Sequence, residues 1–197
     1  DYTRRALFAA MRLEAFSEGT VFPHELTHGG PKEDRLALMR ATQCQLSSVF
    51  ALYSDPANAV SSALQCTAAP PEATAQRDGV THHLWVERNE ETIAHVKMLL
   101  DGSKVFIADG HHRYQTALNY RDEVAKAGEL TPDHPANFVL VGLCAMEDPG
   151  CIILPTHRVL SGLGALKPAD VLAAWKPACT FAPLDRCTPV SYTHLRA

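Results

Sequence analysis

The chain has 197 residues, 46% hydrophobic and 20% charged, a globular composition long enough for one ordinary domain or two small ones. A net charge of −4 supplies no global basic field for nucleic acid, which disfavours that partner, and no apolar run reaches the roughly 20 residues of a membrane span. The six cysteines form no C-x-x-C pair, so zinc-ribbon and thioredoxin motifs are unsupported and the thiols read as free, mostly buried groups of a cytoplasmic protein.

Residues 6–13 predict a strand, and 20–23 a second short extended stretch after Gly19. A polar loop from His24 to Pro31 leads to a predicted helix over 31–53. Pro31 suits its first position, Glu33 and Asp34 its first turn, and Leu36, Met39, Leu46, Phe50 and Tyr53 recur at helical spacing. A short helix is predicted over 57–64 and an Ala/Pro/Thr-rich surface loop over 68–79. Residues 83–87 read as a strand around Trp85, and 90–100 as a helix with Ile93, Val96 and Leu100 inward. Asp101-Gly102 turns the chain into a strand over 104–108. A helix over 111–126 follows, with Tyr114, Ala117, Leu118, Arg121 and Val124 on one face and Gly128 as its cap. After a loop over 131–136, a strand over 137–145 turns at Asp148-Pro149-Gly150 into a second strand over 151–154. Residues 171–175 open a last helix. The alternation of strands and helices predicts a mixed α/β or α+β fold. Residues 1–187 read as a partial single domain, and 188–197 as a linker-derived tail that carries no fold.

Three polar motifs stand at predicted strand or helix ends. In Asp109-Gly110-His111-His112-Arg113 an acid, two imidazoles and a guanidinium meet the start of a helix. Helix N-termini attract anions through unpaired N–H groups and the positive end of the dipole, and a guanidinium fork matches phosphate. This predicts a phosphate or nucleotide site. The plainer reading is a capped helix start with two solvent-facing histidines. Adjacent helical residues point about 100° apart, so only one imidazole faces a ligand directly. The second motif, His24-Glu25-x-Thr27 with Lys32, Asp34 and Arg35 after it, offers a carboxylate base and cations, or simply a polar loop. The third, Pro155-Thr156-His157-Arg158, is either a second anion cradle or a loop with a surface arginine. His24, His111, His112 and His157 also invite a zinc reading. No H-x-x-x-H or H-E-x-x-H spacing supports it, and neighbouring arginines repel a cation.

Together with Lys32-x-Asp34-Arg35-Leu36, Phe50-Ala51-Leu52-Tyr53, Leu84-Trp85 and Tyr114-x-Thr116-Ala117-Leu118, these motifs occur in an order that resembles the domain of unknown function 1015 family across roughly residues 3–166. Members are about twice this length, so the resemblance implies a truncated fragment. Gly110-His111-His112-Arg113 is also similar to the G-x-x-R phosphate motif of the ParB/sulfiredoxin superfamily, which includes CTP-binding partitioning proteins, sulfiredoxin and free-serine kinases. That likeness implies a ParB/sulfiredoxin-like core. His111 stands where sulfiredoxin has its catalytic cysteine, which argues against sulfinic acid reduction. The acidic chain shows no helix-turn-helix of a partitioning protein. The order Glu25 then Asp109–Arg113 is closest to the kinases.

The resemblance implies a phosphotransferase using ATP, ADP or CTP with Mg²⁺ on a small, amino-acid-type molecule. Glu25, Asp109 and His111 would act in catalysis, with Asp109 also holding Mg²⁺. Gly110, His112, Arg113, His157 and Arg158 would hold phosphates or substrate charge. His24, Thr27, Lys32 and Arg35 would complete the polar surroundings. The alternative is a non-catalytic nucleotide-binding switch.

Overall fold

The computed structural model describes residues 2–24, 30–152, 164, 167–178 and 180, with backbone only at 30–32, 65 and 168. The chain divides into two compact units, residues 1–151 and 152–197.

The first unit is built on a mixed five-stranded sheet. Its strands are β1 (Leu7–Arg12), β2 (Val21–Phe22), β3 (Val49–Tyr53), β6 (Val105–Asp109) and β7 (Phe138–Ala145), in the order β1-β7-β3-β6-β2. β7 runs parallel to β3 and antiparallel to β1. β6 runs parallel to β2 and antiparallel to β3. The fold is therefore mixed α+β, as the alternation of elements predicts.

Helix α4 (His111–Lys126) lies over one face of this sheet. Tyr114, Ala117 and Leu118 join one core with Val49, Ala51, Ile107, Val139 and Val141, and Gly128 follows the helix at φ +77°. The same core takes Val60 from α2 (Ala59–Ala63) and Val96 from α3 (Glu90–Leu100). Asn89 caps α3 by accepting from the Thr92 amide at 2.9 Å. Helix α1 (Gly30–Thr42) packs along α4, where Arg40 donates to Glu123 at 2.6 and 2.9 Å and to Glu33 at 3.2 Å.

The structure corrects the sequence reading in several places, one being the strand expected over 83–87, which runs over Val80–Leu84 and ends before Trp85. The helix expected over 31–53 ends at Thr42, beyond which Gln43 turns to φ +50°, and Val49–Tyr53 is the central strand. Leu46, Phe50 and Tyr53 satisfy helical spacing by coincidence. The alternating burial of Val49, Ala51 and Tyr53 belongs to a strand that pairs on both sides. The loop expected over 68–79 contains β4 (Ala73–Arg77), which forms a hairpin with β5 (Val80–Leu84). Asp78-Gly79 makes the two-residue turn with positive φ at both positions, a pattern the composition of the segment disguised. Finally, of the strand expected over 151–154, Cys151 and Ile152 are not in a strand, and residues 153 and 154 lie outside the described residues. Pro149 and the Asp148 carboxylate, which accepts from the Gly150 amide at 2.8 Å, hold a turn after β7.

In the second unit, α5 (Pro168–Trp175) starts with Pro168, and its Asp170 carboxylate accepts from the Lys167 amide at 2.9 Å. Among the described residues no helix is long and apolar enough to cross a membrane. The described cysteines are free thiols. Cys144 is buried, Cys66 and Cys151 are half-buried and Cys44 is exposed, so "mostly buried" does not hold for them.

Candidate anion site at the head of α4

Strand β6 ends at Asp109, and α4 begins at His111, with Gly110 alone between them. Gly110 makes that junction possible. It sits at φ +94°, ψ +27°, a left-handed conformation that side chains with a Cβ disfavour. A Cβ there would also lie 3.0–3.2 Å from the Arg113 guanidinium, which folds back over the glycine. Gly110 has no side-chain oxygen to cap the helix. The amides of His112 and Arg113 have no acceptor among the described residues, while the Gly110 carbonyl already accepts from Tyr114 at 2.9 Å.

The helix behind this turn is firmly anchored. Tyr114 is fully buried, and its hydroxyl donates to the Glu14 carbonyl at 2.8 Å and accepts from the Glu14 amide at 3.0 Å. Its ring stacks on Phe16, and Arg121 donates to the Leu13 carbonyl at 3.0 Å. Burial pushes the Tyr114 phenol above its ordinary pKa. The turn after β1 thus holds the first three turns of α4 in place.

Arg113 donates to Asp109 at 2.5 Å and to the backbone carbonyl of Ser48, just before β3. It is three-quarters buried, whereas the Asp109 side chain is 74% exposed. One carboxylate can therefore hold the guanidinium while facing solvent.

Two sequence motifs converge on His111. The loop after β2 places the His24 ring edge-on against the His111 ring, centroids 4.4 Å apart. The His24 amide donates to His111 Nε2 at 3.3 Å, and His24 Nδ1 lies 2.7 Å from the Ile107 carbonyl. A carbonyl only accepts, so His24 Nδ1 carries the hydrogen. His111 Nε2 accepts, so its lone pair points at the His24 backbone. His111 itself is 4% exposed. Its geometry ties His24, just after β2, to the head of α4. His112 is more open, but its Nδ1 is buried without a hydrogen-bond partner among the described residues.

Arg35, on α1, lines a cavity with Arg113. Asp109, Gly110, His111, Arg113, His24 and Arg35 thus occupy one region. Lys32 lies in the first turn of α1 with backbone only. Glu25, Thr27, His157 and Arg158 lie outside the described residues. Among the described residues no group of three or more His, Cys, Asp or Glu could hold a metal ion. Sequence reasoning missed the Ser48 carbonyl, since a backbone acceptor leaves no mark in residue type. It also missed the segment Cys44–Ser47, whose signal was a polar run hidden inside the over-long helix.

A family model described as a protein of unknown function (DUF1015) matches residues 1–194. The chain belongs to this family. No curated protein and no solved structure matches it. DUF1015 membership brings no activity with it, so function must be argued from the site.

Proposed function

We propose that this DUF1015 chain binds a nucleotide through its phosphates at the head of α4 and transfers a phosphoryl group to the hydroxyl of a small, amino-acid-type molecule. The observation that carries the reading is the uncapped start of α4. Two amides with no acceptor among the described residues and a guanidinium folded over Gly110 converge at the positive end of a 16-residue helix. The resemblance to the G-x-x-R motif of the ParB/sulfiredoxin superfamily supports the same placement.

Phosphoryl transfer asks a protein mainly for positioning and charge neutralisation. Arg113 and the α4 amides supply donors for phosphate oxygens. Mg²⁺ typically binds through one or two carboxylates plus phosphates and water, and the exposed Asp109 carboxylate fits that role. Glu25 is the assigned base. It takes the hydroxyl proton as the substrate oxygen bonds to phosphorus and the bond to the leaving phosphate breaks. Phosphorus NMR with Mg²⁺, ATP, ADP or CTP and a pool of amino acids tests this. A new phosphomonoester signal that vanishes in Arg113→Ala is expected. Glu25→Gln should remove the product and keep nucleotide binding. Absence of any nucleotide effect overturns the reading.

The grip on Arg113 favours a second reading, a binding switch. A phosphate that captures Arg113 competes with Asp109 and with the Ser48 carbonyl, so binding would loosen the tie between α4 and the start of β3. Nucleotide line broadening with a change in hydrodynamic size, and no product, would select this alternative.

A further inference from the structure

Between α1, the segment leading into β3 and α4 lies a cavity of about 90 Å³. Arg35 and Arg113 both line it, and among the described residues no acidic one does. The contrast with Arg40 on the same helix is informative. Arg40 is engaged by Glu33 and Glu123, whereas Arg35 has no ion-pair or hydrogen-bond partner among the described residues. Arg113 commits one hydrogen bond from each terminal nitrogen, to Ser48 and Asp109, and a guanidinium has five N–H donors. Asp109 already offsets the charge of Arg113, whereas Arg35 lines the cavity with no described anion, and an anion between the two guanidiniums would neutralise it. The remaining wall includes Leu38, Met39 and Leu46, and the exposed Cys44 stands at its edge.

We infer that this cavity binds the carboxylate of a small organic acid with a short apolar body, gripped by Arg35 and Arg113. The donors are forks suited to a carboxylate, and the apolar wall favours an organic acid over inorganic phosphate. The inference deepens the phosphotransferase reading by giving the acceptor a chemical class, a small hydroxy- or amino acid held by its carboxylate next to the head of α4.

Cys44 reports on the cavity directly. The 197-residue chain is labelled with N-ethylmaleimide and each cysteine is followed by peptide mass spectrometry. Butyrate at about ten times its Kd should slow Cys44 labelling about tenfold. The neutral isostere butyramide should not, phosphate should protect less, and Cys66 should be unaffected. Protection should vanish in Arg35→Ala and partly return in Arg35→Lys. Buried Cys144 staying unlabelled in each variant shows that the fold is intact. No protection by butyrate, equal protection by butyramide or phosphate, or protection that survives Arg35→Ala overturns the proposal. Nucleotide binding is followed separately by phosphorus line width. Butyrate protection without any nucleotide effect leaves the cavity standing and removes the phosphotransferase reading. The reverse result removes only the cavity.

Discussion

On one face of the five-stranded sheet, Val49, Ala51, Ile107, Val139 and Val141 are at most 1% exposed beneath α4 and its neighbours. On the other face, the residues that alternate with them include Phe8, 58% exposed, and Phe106, 37% exposed, with Phe22, Phe50 and Phe138 half-buried. Cations cover part of that second face. The guanidinium of Arg4 lies 5.2 Å from the Phe50 ring centroid, that of Arg12 lies 5.0 Å from Phe138, and the Lys104 ammonium lies 5.7 Å from Phe22. Among the described residues one corner is closed, where Gly150 packs against the backbone of Thr3 and Arg4 and Cys144 is buried. The strands are apolar on both faces, as in sheets covered twice, yet the described helices contribute their core residues to one. Composition therefore tells that a strand is central. Which face carries the core depends on where the helices dock.

The contrast can be tested within adjacent residues. Ile107→Ala, in the dry face, should cost about 2–5 kcal/mol in urea unfolding. Gly150→Ala tests the closed corner, because a Cβ would stand 2.2 Å from the Thr3 carbonyl oxygen. Backbone must move, and a loss of about 1–3 kcal/mol is expected. Phe106→Ala, one residue from Ile107 but on the open face, removes a ring stacked 5.2 Å from Phe22 and should cost about 0.5–1.5 kcal/mol. If it matches Ile107→Ala, the open face is packed in solution and the comparison fails. The smallest effect belongs to Gly142→Ala. Its Cβ would sit 3.2 Å from the Phe8 ring, which is exposed and free to give way, so the change should stay within about 0.5 kcal/mol.

Titration separates the buried positions from the open ones in another way. Burial, reinforced by the charges of Asp55 and other neighbours, pushes Tyr53 from 10.0 up to about 12. Burial likewise pushes the Cys144 thiol from 9.0 up to about 12. Both groups hold their protons more tightly when folded, so their contribution is complete below the unfolded pKa and is lost as pH rises through the folded one. Stability should fall between pH 9 and 12. Tyr53→Phe should flatten the part above pH 10, and an unchanged pH profile in that variant would refute the assignment.

Much of the fold was legible. The two long periodic helices and the strands at β1, β6 and β7 follow from apolar spacing, and Gly128 marks the end of α4. The misread helix at β3 shows the limit. Over a short run, Leu46, Phe50 and Tyr53 fit a helical period while Val49, Ala51 and Tyr53 fit a strand period, and pairing with β6 and β7 decides between them. For the candidate site, Asp109–Arg113 was legible because a buried strand running into Gly and a polar helix start has a physical meaning at the level of the chain. The contact of His24 with His111, across 87 positions, had no local signature. The sharing of one cavity by Arg35 and Arg113 had none either.

By itself, then, the sequence determined the family, the α+β class and the strand–glycine–helix junction, because each depends on neighbours along the chain. Tertiary structure alone decided that Val49–Tyr53 is a central strand, that the core lies over one face, and that Arg113 is tied to Ser48 while it shares a cavity with Arg35. Those features depend on contacts between distant segments, and their free energy arises only when the sheet and α4 have come together.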